Sequence, residues 1–247
     1  MRAFRTMVKT ELKISLRSMD MMIFGLLMPI VVVIILGFIY GSEPASPGAS
    51  YSFLAQSFGA VASIGICATG AMALPLEVSD YRNKKILKRF KVTPISPAMI
   101  LFVRVIINAI IAIFSLLLVC LVSAVFFGFR MDGSWLKFLG AYFLVMLSIY
   151  SIGMMIAAIA PNIKTANLLI CVFYFPMLIF SGATLPYEVM PAALQKAADV
   201  MPLTQGIKLL KAAALGLPAD SVLLPIIVMI VLAVVCIAVS IRFFRWE

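Results

Sequence analysis

Few side chains in this 247-residue sequence can do chemistry, and their placement is uneven. Histidine is absent, which removes the commonest metal ligand and general base. With no H-E-x-x-H, no Ser–His pair and no clustered carboxylates, intramembrane hydrolysis is disfavoured. No G-x-x-x-x-G-K-[ST] occurs, so the sequence carries no P-loop, and uphill transport would have to draw its energy from another subunit. Charge gathers in two stretches instead. One is the arm with Arg2, Arg5, Lys9, Lys13 and Arg17; the other is Glu77–Val92, EVSDYRNKKILKRFKV. The remaining candidates are mild polar groups inside apolar runs, among them Gln56, Ser63, Asn108, Asn167, Tyr174 and Ser181.

The elements that must hold these groups follow from composition. The chain is 64% hydrophobic and 12% charged, with mean hydropathy +1.15. A soluble domain carries about 25% charged and about 45–50% apolar residues, so lipid is the solvent for most of this one. Crossing the hydrocarbon takes about 20 predominantly apolar residues. Six segments qualify: Met22–Tyr40, Phe53–Leu76, Ala98–Phe127, Leu136–Ala160, Ala166–Leu185 and Ser221–Phe244. The first is too long for a signal-peptide core and no small-x-small site follows it, so it reads as an uncleaved span. Cys67, Cys120, Cys171 and Cys236 lie far apart within such runs and read as small apolar residues of membrane helices.

Orientation follows the lysines and arginines. The arm and the connection with Arg82, Lys84, Lys85, Lys88, Arg89 and Lys91 are basic, whereas Gly41–Ser52 has no Lys or Arg. Both termini are therefore expected in the cytoplasm, with the chain multi-pass in the cytoplasmic (inner) membrane. Lys164, Arg242 and Arg245 agree. The net charge of +10 is thus a matter of topology and anionic membrane lipids, not nucleic acid.

Three stretches outside the spans are informative. In the arm, Phe4, Val8, Leu12 and Leu16 form one row at i+4 spacing, and Arg5, Lys9, Lys13 and Arg17 form the next. This predicts an amphipathic helix on the membrane surface within residues 1–20, either a lipid anchor alone or also a docking face. Glu77–Val92 predicts a charged helix leaving span 2. Thr93–Pro94 stops it and Ser96–Pro97 caps span 3, making a tight elbow over residues 77–97. Residues 186–220 predict two short helices, about Met190–Val200 and Leu203–Leu215, lying at or dipping into the outer interface.

Within the spans the only acid expected is Glu77, and Arg104 is placed to snorkel. Proton coupling is disfavoured by this lack of midplane ionisable groups, although sodium sites built from carbonyls survive. Small residues in span 2 (Gly59, Ser63, Gly65, Ala68, Gly70) suit close helix packing.

The order of parts resembles the membrane subunits of type-2 ABC exporters, the permease family of bacterial drug, lantibiotic, sodium and polysaccharide exporters. The most specific pieces are LKRFKVTPIS (Leu87–Ser96), FSGATLP (Phe180–Pro186) with Met190–Pro191, and Met201–Pro202–Leu203–Thr204. These look like the family's LK-x-x-x-x-TPIS elbow and its SG-x-x-x-P…P…PL outer region. The resemblance implies that the elbow is a coupling helix seated in a cytoplasmic ATPase and braced by the arm. Carried onto this chain, Glu77, Asp80, Tyr81, Arg82, Lys85, Lys88, Thr93 and Pro94 become the ATPase-coupling candidates, with a Glu77–Arg82 ion pair expected to hold the elbow. It also implies a second permease subunit, identical or homologous, and two copies of a separate P-loop ATPase that bind ATP and Mg, with no cofactor on this chain. The chain departs from the pattern where many members have an arginine in the second outer helix; here stand Lys208 and Lys211.

The expected fold is therefore all-α and integral to the membrane, one permease domain over residues 1–247. It has six transmembrane helices, an N-terminal amphipathic interfacial helix, a cytoplasmic coupling helix between spans two and three, and two short outer helices between spans five and six. A translocation path lined mainly by spans 2 and 5, with Gln56, Ser63, Asn167, Tyr174 and Ser181 as candidates, would carry an amphiphile. A drug or antimicrobial peptide leads, with lipid-linked glycan or sodium open. The rivals are a six-span channel or scaffold working without an ATPase, and a lipid-modifying enzyme using Asp80 or Glu188.

Overall fold

The computed structural model describes residues 2–40, 43–45, 51–86, 97–184, 187, 190–217 and 222–244. They form an all-helical bundle with six helices long and apolar enough to cross a membrane: Met22–Tyr40, Phe53–Asn83, Met99–Phe127, Trp135–Ile159, Ile163–Phe180 and Leu223–Phe243. These are spans 1 to 6. The arm helix is Arg2–Ser15. Between spans 5 and 6 come a short helix, Ala192–Val200, and a longer one, Pro202–Leu215.

Local chemistry sets the boundaries. Ser52 caps span 2, its Oγ accepting from the Ala55 N–H at 3.2 Å. Asn162 does the same for span 5, with the Thr165 N–H at 2.9 Å. Pro202 opens its helix at the first turn, where no N–H is needed. Gly216 closes that helix in the left-handed conformation, φ 68°.

Spans 1 and 2 each contain a π-helical stretch, Met22–Leu27 and Ala68–Ala73. In both, the next residue's N–H reaches back five positions, Met28 to the Ile23 carbonyl and Leu74 to the Thr69 carbonyl. A proline follows immediately, Pro29 and Pro75. Proline lacks the N–H and crowds the carbonyl four residues back, so each helix widens by one residue just before it. Span 2 therefore runs through Pro75 to Asn83, well beyond the expected end at Leu76.

Span 2 is the centre of the bundle. Its apolar window is 83% buried, against 28% for spans 1, 5 and 6. Small residues let its neighbours come close. A Cβ on Gly153 of span 4 would strike the carbonyl oxygen of Gly70, and Tyr150 Oη lies 2.7 Å from Thr69 Oγ1 in the same interface. A Cβ on Gly59 would meet Leu210 Cβ at 2.8 Å, so the Pro202–Leu215 helix is pressed against span 2.

Of the two short helices expected at or dipping into the outer interface, this one is sunk into the bundle. Leu203, Thr204, Ile207, Leu209, Leu210, Ala212 and Ala214 are buried, and the helix wedges between spans 2, 4 and 6. It is re-entrant. The arm packs on the bundle as well. Phe4, Met7, Val8 and Leu12 pack against Met21, Leu26, Val103, Ile107 and Ile111, so its apolar row faces protein. Leu16 lies beyond the helix end and is exposed.

Candidate functional site

The arm, span 2 and span 3 meet around one side chain. Arg104, one turn into span 3, is 4% exposed. Its Nη2 lies 2.7 Å from Glu11 Oε2 of the arm, and its Nη1 3.5 Å from Glu77 Oε1 of span 2. The same guanidinium donates to Ser15 Oγ at 3.1 Å and to the Tyr81 hydroxyl, and sits 4.6 Å from the Tyr81 ring centre. Tyr81 in turn donates to Glu11 Oε1 at 2.7 Å. Asn108, one turn further along span 3, donates to Glu77 Oε2 at 2.9 Å. The expected snorkelling of Arg104 is therefore replaced by an inward-facing hub. Two carboxylates around one guanidinium explain why: a buried charge needs paired partners, and this one has them from two other helices.

Local spacing builds the cluster. Glu77 and Tyr81 are four apart on span 2, as Arg104 and Asn108 are on span 3 and Glu11 and Ser15 on the arm, so each helix presents two polar groups on one face. Arg104 Nε and Asn108 Oδ1 are buried without a protein partner. The cluster is thus incompletely satisfied by protein groups.

The expected Glu77–Arg82 pair does not form. Arg82 turns the other way, donating to the carbonyls of Ala157, at 3.1 Å, and Ala160 at the end of span 4. Its guanidinium also lies 5.4 Å from the Phe244 ring centre, after span 6. Arg82 is five positions past Glu77, which puts the two on different faces; each found a partner on the helix it faces. Asp80 binds Lys84 at 2.7 Å on the exposed side. The helix expected to run to Val92 instead breaks at Lys84–Lys85, where Lys85 takes φ 54°. Lys88, Thr93 and Pro94 lie outside the described residues, as does Glu188. Arg5, Lys9, Lys13 and Arg17 are all exposed on the arm. Among the described residues, no three His, Cys, Asp or Glu side chains gather as a metal ion requires.

The five candidate path residues separate. Gln56 and Ser181 share a cavity of about 290 Å³ at the end of the bundle away from the termini, together with Thr204, Tyr187 and Lys208. Ser63 is fully buried and donates to its own helix at the Ala60 carbonyl, 2.6 Å away. Tyr174 is buried in the core, and Asn167 is exposed on span 5. Next to the cavity, Lys208 Nζ pairs with Asp199 Oδ1 at 2.7 Å and Tyr187 donates to the same oxygen at 3.0 Å. An outer ion pair is present after all, made by a lysine. The Lys208 ammonium, with the Tyr187 hydroxyl, holds the Asp199 carboxyl below the usual aspartate range.

Sequence reasoning missed Glu11, Ser15 and Asn108 as members of the cluster. The signal was present: a single acid in an otherwise basic arm helix, and an arginine inside an apolar span.

Six apolar helices, five of them around a buried span 2, with an ionic cluster at the face where the arm helix and the end of span 6 lie, define a multi-pass membrane protein. The chain belongs to the ABC-2 type transporter family, as a membrane component: the family's profile matches residues 2–215. It is similar to Nodulation protein J of Rhizobium leguminosarum bv. viciae, 34% identical over 99 residues, or 40% of this chain and 38% of that protein. It is also similar to Nodulation protein J of Sinorhizobium fredii (strain NBRC 101917 / NGR234), 33% identical over 84 residues, or 34% of this chain. These matches span only 38% and 32% of the relatives' own lengths.

Proposed function

We propose that the chain is the permease subunit of an ATP-driven exporter. It works with a second permease subunit, identical or homologous, and with two copies of a separate P-loop ATPase that bind ATP and Mg. The face holding both termini lies in the cytoplasm, and the membrane is the inner one. Family membership supports the transport role, and the missing P-loop supports the need for an ATPase partner.

The observation that carries the coupling role is the Arg104 cluster. Through Glu11, Glu77 and Tyr81, it fastens the arm, the exit of span 2 and the entry of span 3 into one body. A push on the segment between Asn83 and Pro97 would therefore reach three helices at once. Glu77, Tyr81 and Arg82 transmit the push from within, while Asp80 and Lys85 face outward to the ATPase; Lys88, Thr93 and Pro94 complete the docking surface. The exposed row Arg5, Lys9, Lys13 and Arg17 rests on anionic headgroups beside it. Span 2, with its π stretch and Pro75, is the element placed to tilt.

The test is co-purification with a candidate ATPase from the same genome. An ATPase that stays bound and raises the melting temperature of the chain supports the reading. If no candidate binds or shifts the melt, the chain works without one.

A further inference from the structure

A second cavity, of about 380 Å³, lies between the start of span 4, the end of the re-entrant helix and the start of span 6. It is at the end of the bundle away from the arm, because span 3 begins beside the arm and span 4 returns from the far end. Span 4 lines it with Lys137, Gly140, Ala141 and Leu144, three or four residues apart on one face. Leu209, Ala212 and Ala213 of the re-entrant helix stand opposite, and Val222 and Ile226 line the third side. Below Lys137 the slot is therefore apolar for about 10 Å, the rise from Lys137 to Leu144. Small residues keep it open: a Cβ added at Gly140 would meet nothing within 4 Å.

The mouth has a different chemistry. Trp135 opens span 4 and is exposed. A tryptophan at the end of a span sits at the level of the lipid headgroups, and Lys137, two residues on, can bring its ammonium to that level. Lys137 is exposed and has no hydrogen bond or ion pair. None of the described lining residues is acidic, and Lys137 alone among them is charged. Asp132, in the preceding loop, stands outside the lining and does not pair with it.

We propose that this slot binds a glycerophospholipid of the surrounding membrane, with one acyl chain in the slot and the phosphate at Lys137. The phosphate gains a charge-assisted hydrogen bond from an ammonium that has no other partner. The chain covers apolar surface from Gly140 to Leu144 and fills the gap between spans 4 and 6 and the re-entrant helix. A protein partner seated here would bury the ammonium and would need an acid of its own to pair it. The proposal asks only that the chain lies in a membrane, so it does not rest on the exporter reading.

The purified full chain in a neutral detergent is offered phosphatidylglycerol or diacylglycerol at equal low concentration. The two probes share their acyl chains, one of which carries a diazirine, and differ in the phosphate head. After illumination the labelled peptides are quantified by mass spectrometry. Phosphatidylglycerol should label residues 137–144 and 209–213 about tenfold more than diacylglycerol, the ratio that one charge-assisted hydrogen bond implies. Lys137→Met should bring that ratio to about one. Gly140→Leu fills the slot and should lower phosphatidylglycerol labelling there about fivefold or more. Equal labelling of wild type by the two probes overturns the proposal, as does a preference that survives Lys137→Met or labelling unchanged by Gly140→Leu. Absence of label from both segments also overturns it, whether the slot stays empty or a second copy covers it. The comparison of heads uses wild type alone and stands even if a variant misfolds. No ATPase is present, so failure here and failure to recruit an ATPase are separate results.

Discussion

Arg104 and Glu11 stand 2.7 Å apart, joining span 3 to an arm helix that begins the chain. Neither group is at the surface: their side chains are 5% and 14% exposed. Removing one member of a buried pair leaves the other uncompensated, which costs about 3–5 kcal/mol. Arg104→Met should therefore lower the melting temperature sharply, because it strands both Glu11 and Glu77. Glu11→Gln should cost less, since Glu77 still balances the guanidinium. Combining Arg104→Met with Glu11→Gln and Glu77→Gln should recover most of the loss, and thermal melts of the four proteins in one detergent check the order.

Lys85 is the described residue other than glycine that holds a positive φ, at 54°. It ends the helix that carries the coupling candidates, a position where glycine is the usual choice. Lys85→Gly should stabilise the chain by up to about 1 kcal/mol. A lower melting temperature would show that the lysine side chain is worth more to the fold than its backbone strain costs.

The packing of span 2 against span 4 is the tightest constraint on the centre of the bundle. A methyl group at Gly153 meets the backbone carbonyl of Gly70, which cannot swing aside. Gly153→Ala should destabilise by about 1–3 kcal/mol or more, as overpacking does. Gly140, on the same helix, has nothing within 4 Å of such a methyl. There Gly→Ala should be neutral or favourable by up to about 1 kcal/mol, and melting temperatures of the pair separate packing from helix propensity.

The Asp199–Lys208 pair predicts a pH effect on the other face. Lys208 holds the Asp199 carboxyl below its unfolded value. The pair's contribution is therefore full at neutral pH and fades as the pH falls below about 4, through the depressed value. Both side chains are well exposed, so the effect is small. Lys208→Met should remove that part of the acid sensitivity, seen as a shallower fall in melting temperature between about pH 5 and pH 3.

Much of this architecture was legible in the residues. Apolar run length gave six spans, because lipid thickness admits few alternatives. Pro202 and Gly216 marked the outer helix ends by chemistry that is local to a turn. What failed was non-local. Whether Arg104 snorkels or turns inward depends on Glu11, far away in the chain. Arg82 likewise depends on carbonyls at the end of span 4. How deeply the Pro202–Leu215 helix sinks depends on Gly59 of span 2 and on Gly206, which let the neighbouring helices close on it.

A separate ATPase driving this chain through the outward charges at the end of span 2 is the central claim. Its most direct test is ATP hydrolysis by the chain and its ATPase partner reconstituted in lipid, comparing wild type with the Asp80→Ala/Lys84→Ala/Lys85→Ala variant. These three residues lie on the exposed side of the helix end and outside the Arg104 cluster, so the melting temperature should stay close to wild type. The permease should raise the ATPase rate, and the triple variant should lose about tenfold of that rise, as the removal of a few charge-assisted bonds implies. The same rate in the two proteins, or no rise with wild type, would contradict it.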